Sequence, residues 1–352
     1  MKTILKWPGG KEKELPVIRK YTPVFTGRFV EPFVGGGAVF FDTTAERCCI
    51  NDKSDELINL YNCAREKDSD LIKYLQLETD EFNSIGIFVD EHKDEILRLY
   101  HSEITVDNFI EKYAKFFSQI ADSYNEVFLK ELKKNLTNKI SRSEKLEEEN
   151  GIIPDSDRLD NMEAAMKSAY YMFIRYLQNH LSELSRGRQA AVFFFVREYC
   201  YSSMFRYNKK GEFNVPYGGI SYNRKDFQKK VDYLLSSEMT QKLQSTDIYC
   251  KDFEDFINGL NLTEDDFIFL DPPYDTDFST YAQNTFGREE QKRLCECLKR
   301  TPAKILLIIK NTDFIYDLYK DDINITSFDK KYMVSFMNRN DRNVEHLVIT
   351  NY

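Results

Sequence analysis

The chain has 352 residues, of which 42% are hydrophobic and 30% charged, and a formal net charge of −9. That sign argues against a protein that holds nucleic acid through bulk positive charge, and the longest apolar stretches, Ala190–Val196 and Ile305–Ile309, are too short to cross a bilayer. Seven cysteines without a paired C-x-x-C spacing point to reduced thiols rather than a disulfide frame or zinc site, and Met1–Trp7 lacks the long apolar core of an export signal, so a cytoplasmic protein of one large or two modest domains is expected.

In chain order, Leu5-Lys6-Trp7-Pro8-Gly9-Gly10-Lys11 holds the only tryptophan. Between two lysines and before Pro-Gly-Gly, the indole reads either as a core plug or as a platform for an adenine or a cationic methyl group, with Lys11 placed to meet a carboxylate. Arg28–Phe33 reads as a short strand entering Val34-Gly35-Gly36-Gly37, and Ala38–Phe41 as the opening of a helix. Glycines at such a turn let backbone approach a ligand closely. The G-x-G-x-x-G spacing of a dinucleotide site is absent, and Glu31-Pro32 puts an acid where a pyrophosphate would sit. An ammonium or sulfonium group suits Glu31 better; a structural turn without a ligand is the alternative. Cys48–Asp52 reads as a short strand ending in an acid about twenty residues beyond the glycines, where nucleotide sites commonly hold a ribose.

A helix is predicted near 54–66. Residues 67–196 then alternate apolar and charged side chains at three-to-four spacing, as in Phe109-Ile110-Tyr113-Phe116-Phe117-Ile120, an amphipathic helical pattern. Ser141–Asp160, with Glu147-Glu148-Glu149-Asn150-Gly151 and Pro154, reads as a loop or partly disordered. This region enlarges the fold, or offers a surface for a second copy or a partner protein; direct contact with DNA is the least favoured reading, since its acidic content would repel phosphate, although Arg175, Arg186 and Arg188 near its end could brace a nucleic-acid-facing edge. His180 reads as a packing or surface residue.

Residues 197–230 carry eight Lys or Arg against three acids, a local +5, and residues 1–28 carry another +5, so the remainder sums to −19. In 197–230 the cations interleave with Tyr199, Tyr201, Tyr207, Tyr217 and Tyr222 around a Lys209-Lys210-Gly211 turn. A basic hairpin with aromatic rings suits phosphate contact and base stacking, and Arg206 could chelate guanine O6 and N7. The alternative is a solvated loop whose tyrosines belong to the core.

Strands are predicted near 246–250, 266–271, 303–310, 323–328 and 345–351, with helices near 287–299 and 313–320, giving a doubly wound α/β sheet. Cys295 and Cys297 read as packing residues. The strand Phe267–Leu270 ends in Asp271-Pro272-Pro273-Tyr274. Each proline fixes φ and lacks an N–H, so the Asp271 carboxylate and the Pro272 carbonyl stand as two preset acceptors, with Tyr274 as a stacking face. Two acceptors match the two N–H bonds of an exocyclic amine and would orient its lone pair toward an electrophile. A turn that merely ends a strand is the other reading.

Taken together, Lys-Trp-x-Gly-Gly-Lys, Phe-Val-Glu-Pro-Phe-Val-Gly-Gly-Gly, Asn-Asp-x-x-Asp-x-Leu-Ile-x-Leu-Tyr-Asn, Arg-Tyr-Asn-x-x-Gly-Glu-Phe-Asn-Val-Pro-Tyr-Gly and Asp-Pro-Pro-Tyr, in that order, closely resemble the Dam-type (class alpha, D12) family of site-specific DNA adenine-N6 methyltransferases. The resemblance covers roughly residues 1–66 and 197–352. It implies a Rossmann-like methyltransferase sheet carrying an inserted, mostly helical DNA-recognition domain. Residues 1–66 and 245–352 would form the catalytic domain that binds S-adenosylmethionine, and 67–244 the insertion, with the basic hairpin near 197–222.

By the same resemblance S-adenosylmethionine is held by Trp7, Lys11, Glu31, Pro32, Phe33, Gly35, Gly37, Asp52 and Asp271, while Asp271, Pro272, Pro273 and Tyr274 receive the adenine. Lys6, Tyr201, Ser202, Met204, Arg206, Asn208 and Pro216 meet double-stranded DNA: Tyr201 fills the hole left by the extruded base, Arg206 reads a guanine and Pro216 contacts a neighbouring base. Ser202 and Met204 depart from the Asn and Leu of better-known members, which leaves a GATC-like site as the default target. No metal is required. Three other readings stay open on the residues alone: an RNA methyltransferase acting on an exocyclic amine, a DNA-binding scaffold without turnover, and a nicotinamide-dependent oxidoreductase.

Overall fold

The structure, a computed structural model, describes residues 1–273, 286–321, 324–331 and 343–352. The chain opens with α1 (Leu15–Tyr21), β1 (Phe29–Glu31), β2 (Cys48–Asn51) and α2 (Asp55–Glu66). Eight helices follow: α3 (Ser69–Glu91), α4 (Lys93–Tyr100), α5 (Val106–Lys112), α6 (Ala114–Phe117), α7 (Asn125–Asn150), α8 (Asp155–Gln178), α9 (Arg186–Tyr199) and α10 (Phe227–Leu234). The last part comprises α11 (Ser237–Gln244), β3 (Thr246–Tyr249), α12 (Phe253–Gly259), β4 (Phe267–Leu270), α13 (Arg288–Arg300), β5 (Lys304–Lys310), α14 (Asp313–Tyr319), β6 (Asn324–Lys331) and β7 (Asn343–Thr350). Two compact units result, one from 1–66 with 237–352 and one from 67–236.

The first unit is an α/β sheet in the order β3-β2-β1-β4-β5-β7-β6. All neighbours are parallel except β7, which runs antiparallel to both β5 and β6. The central strands are buried at every position, Phe267–Leu270 throughout and Ile305–Ile309 throughout. Strands covered on both faces read as continuous apolar runs, which is why they were legible as strands. On one face Val30, Ile268, Leu270, Ile305 and Leu307 pack against Phe253, Phe256, Leu294, Cys295, Leu298 and Ile315 of α12, α13 and α14. Cys295 and Cys297 are indeed packing residues in this layer. Strands β2 and β3 lie to one side of β1, and β4 and β5 to the other. The strand order therefore switches direction between β1 and β4, and the carboxyl ends of those two strands, Glu31 and Leu270, border the crevice such sheets use for ligands.

The second unit is helical. Asp68 caps α3 by accepting the N–H groups of Asp70 and Leu71. Gly187 of α9 faces that cap so closely that a Cβ would fall 2.1 Å from Asp68 Oδ1, so only glycine fits there. Two expectations are corrected. Ser141–Asn150 is helix, the last turns of α7, rather than loop. Two of its four acids are spent on tertiary partners: Glu147 accepts from Arg158 and from the Tyr100 hydroxyl, and Glu144 accepts from Ser102, while Ile140 and Ser143 are buried. Only 151–154 breaks the path, with Gly151 at φ +92° ending the helix. The amphipathic run 109–120 is likewise broken at Tyr113 into α5 and α6, because Tyr113 and Phe116 both turn onto the Phe88 ring, at 5.0 and 4.3 Å. No described helix is long and apolar enough to cross a membrane.

Candidate active site and recognition segment

Strand β1 delivers Glu31, and the chain turns at once. Val34 N–H donates to Asn51 O at 2.9 Å, and Asn51, at the end of β2, donates to Pro32 O and Lys251 O while accepting from Lys251 N–H. One buried amide thus ties the exits of three neighbouring strands together. Gly35 (φ +48°) donates its N–H to Asp52 Oδ2 at 2.9 Å, its carbonyl accepts from the Tyr61 hydroxyl at 2.9 Å, and a Cβ there would fall 2.8 Å from the Trp7 indole. Glycine is needed both for the left-handed backbone and for the flat approach to the ring. Ala38–Phe41, expected to open a helix, forms successive turns instead, with Phe41 N–H donating to Gly37 O and Asp42 N–H to Val39 O. Gly37 (φ +73°) starts that path beside the Phe41 ring. Phe33 packs on Phe253 and Phe286.

Four charged groups converge on this turn. Lys11 is 2% exposed, and its Nζ lies 2.6 Å from Asp271 Oδ1 and 3.1 Å from Gly9 O. The carboxylate that Lys11 meets is therefore Asp271. Glu31 is 3% exposed, and its Oε2 has no hydrogen-bond partner among the described residues. Burial first, then the Asp271 carboxylate, pushes Glu31 well above the ordinary carboxylate range, against the pull of the Phe40 N–H and Lys11. Burial also raises Asp52, which the N–H groups of Ser54 and Gly35 partly offset. Three acids beside one buried lysine make a negative cluster that favours a cation and disfavours a pyrophosphate. An orphaned carboxylate oxygen and a glycine flattened on an indole fit a ligand that carries both a positive centre and an aromatic base.

Pro272 is buried, and Pro273 O accepts from Gln291 Nε2 at 2.9 Å. Gln291, 0% exposed at the start of α13, has no local sequence signal. Asn51 and Tyr61 were missed as well, although both stand inside the Asn-Asp-x-x-Asp-x-Leu-Ile-x-Leu-Tyr-Asn motif. Tyr274 lies outside the described residues.

In the second unit the hairpin forms as an irregular antiparallel pair, with Tyr207 bridging Phe213 and Cys200 bridging Tyr217. Gly211 (φ +80°) makes the turn, and the Asn208 side chain accepts the N–H groups of Lys210 and Glu212. Helix α8 holds the returning strand: Asn179 exchanges hydrogen bonds with Phe213, while Tyr171 and Arg175 both donate to Val215 O. Arg188 lies over the Tyr74 and Tyr124 rings. His180 is stacked on Tyr176.

The basic surface expected over 197–230 is smaller than the sequence suggests. Arg197 is 1% exposed, stacks on Phe205 at 3.7 Å and donates to the carbonyls of Ser203 and Met204. Those carbonyls follow two residues held at positive φ, Ser202 (+52°) and Ser203 (+50°). Non-glycine residues there cost about 1–3 kcal/mol each and persist only where the surroundings hold them. The buried guanidinium supplies that hold, and the kink leaves the Tyr201 ring 51% exposed. Tyr199 and Tyr217 belong to the core. Lys6, Arg206 and Pro216 are exposed, and Arg206 rests on Asn214 through hydrogen bonds of 2.8 and 2.7 Å.

Residues 7–150 and 121–334 match the model of the D12 class N6 adenine-specific DNA methyltransferases. The chain belongs to that family. This D12 methyltransferase is 29% identical over 358 residues to a type II methyltransferase of Paramecium bursaria Chlorella virus NC1A, each chain covered in full. It is 27% identical over 371 residues to a type II methyltransferase of Methanocaldococcus jannaschii, covering 100% of this chain and 99% of that one. With the DNA adenine methylase of Haemophilus influenzae it shares 25% identity over 327 residues, 90% of this chain and 82% of the other. The D12 methyltransferase is thus an adenine-specific DNA methyltransferase, and its family implies a methyl donor of the S-adenosylmethionine type. The RNA, non-catalytic and oxidoreductase readings fall with that membership.

Proposed function

We propose that this enzyme transfers a methyl group from S-adenosylmethionine to N6 of an adenine rotated out of double-stranded DNA, at a defined sequence for which GATC is the default. The observation that carries the reading is the convergence of Glu31, Lys11 and Asp271 at the switch point of the sheet. Trp7 and the Glu31–Gly37 turn, with Asp52 at its side, would hold the donor. When bound, that donor supplies the electrophilic methyl group that N6 receives.

The rest falls to this chain. Lys11 takes Asp271 Oδ1 and so fixes the carboxylate. Its second oxygen and the Pro272 carbonyl accept the two N–H bonds of the amine, which aims the nitrogen lone pair and stabilises the positive charge that develops on it. The proton then leaves to water, so no strong base is needed. Gln291 holds the tetrapeptide from behind through Pro273 O. Tyr201, kinked outward, would fill the gap in the duplex and offset part of the few kcal/mol of unstacking. The unit 67–236 is read as the target-recognition part and residues 1–66 with 237–352 as the catalytic part.

Mapping modified bases in DNA methylated by the enzyme tests the reading at once for atom, substrate and context; transfer to cytosine, or none to duplex DNA, overturns it. In the same assay Arg206→Ala should relax the choice of one base pair, by about 1–3 kcal/mol of discrimination, with cofactor affinity unchanged. An unaltered target would remove Arg206 from base reading.

Glu31 gives a pH test. Its carboxyl holds a proton to a higher pH than an ordinary carboxylate, whereas a cationic ligand beside it requires the ionised form. Binding therefore releases a proton, and donor affinity should rise with pH through the raised value and level off above it. Glu31→Gln should weaken binding and flatten that profile in calorimetric titrations; a wild-type affinity that shows no rise anywhere above the ordinary carboxylate range would contradict the assignment.

A further inference from the structure

The second unit contains a cleft of about 770 Å³ between the hairpin and two helices. One wall is α7, whose Asn138, Lys139, Arg142 and Lys145 recur at three-to-four spacing and so share a face. Ala164, Ala165 and Ser168 of α8 form the floor, and their small side chains are what leave it open. The far wall is Pro216–Gly219, the returning arm of the hairpin.

The charge of this cleft is one-sided. Its lining holds three cations and no carboxylate. Elsewhere on α7, Lys133 is neutralised by Asp107 at 2.6 Å and Lys134 by Glu131, while Lys130 is an exposed lysine outside the cleft. Its acids Glu144 and Glu147 turn to Ser102 and to Arg158. Arg142 and Lys145 are exposed and have no carboxylate within ion-pairing distance among the described residues. Lys139 is oriented by Asn161 Oδ1 at 3.3 Å. In a chain of net charge −9, cations left unpaired along one groove mark where a polyanion fits.

We infer that this cleft seats the sugar-phosphate backbone of the duplex flanking the target base, with Arg142 and Lys145 on successive phosphates and Lys139 beneath them. The inference rests on the reading of duplex DNA as substrate, and continuity with Pro216 argues for DNA over any other polyanion. It also gives the helical insertion a role that its acidic composition conceals.

The test is the salt dependence of duplex binding by the full-length enzyme. Arg142→Gln with Lys145→Gln removes two contacts at about 0.9 each, so the slope of log affinity against log salt should become shallower by about two. KM for DNA should rise about tenfold near physiological salt, while kcat, the methylated sequence and donor affinity stay as in the wild type. Lys130→Gln with Lys133→Gln, an equal loss of charge elsewhere on α7, should keep the wild-type slope. A slope unchanged in the cleft variant, or equally lowered in the control, overturns the assignment and leaves the methylation reading intact. A wild-type dimer that the cleft variant loses, with duplex binding unchanged, would give the cleft to a second copy instead. Failure of the wild type to methylate adenine in duplex DNA overturns the underlying reading, and this inference with it.

Discussion

Asp271→Ala is expected to lower methyl transfer by at least about 10²- to 10³-fold, the usual cost of losing one preorganised hydrogen-bond partner of a transition state. Two losses combine in this variant. In the role proposed for Asp271 the amine loses an acceptor, and Lys11, 2% exposed, loses the carboxylate 2.6 Å from its Nζ. An ion-pair partner orphaned in a buried setting also costs stability. Asp271→Asn separates the two effects, since the amide keeps the shape and one oxygen while giving up the charge. Single-turnover rates with donor titrations provide the measurement: the rate should collapse in both variants, and donor binding should persist, weakened, in both. Near-normal turnover in either would remove Asp271 from the chemistry.

Arg197→Met is expected to have the second-largest effect, and on a different property. The guanidinium holds two carbonyls after two strained serines, and hydrogen bonds to a charged group contribute about 1.5–3 kcal/mol each. Relief of burying the charge, which pulls Arg197 below the usual guanidinium value, offsets part of that. A net loss of about 2 kcal/mol should lower the melting temperature by roughly 4–8 °C for a unit of this size. The larger consequence is loss of target choice, because Tyr201 through Arg206 would no longer be held in one arrangement. Donor affinity should not change. A variant that melts and selects its site like the wild type would show that the clamp has no such role.

Much of the sheet-bearing unit was legible because its signals are local. Strands buried on both faces, such as Phe267–Leu270 and Lys304–Lys310, appear as uninterrupted apolar runs, and glycine turns and proline-fixed acids announce themselves by residue type. The helical unit was less so. In Ser141–Asn150 Leu146 is the one apolar residue among serines, charged side chains and an asparagine, so the helix depends on partners such as Arg158 and Tyr100 that lie far along the chain. Arg197 counted toward the basic surface and proved to be interior, while Tyr217 follows the alternative reading in which the tyrosines belong to the core.

By itself, then, the order of residues determined the fold class, the strand ends that carry Glu31 and Asp271, and the family, because each follows from periodicity, backbone restriction or motif within a few neighbouring positions. Only the tertiary structure decided what those groups face. That Lys11 meets Asp271, that Gln291 holds Pro273, that Arg197 works from inside, and that Arg142 and Lys145 lie across a cleft from Pro216 are matters of contact between distant segments. Charge and burial act through space, and sequence spacing does not encode that distance.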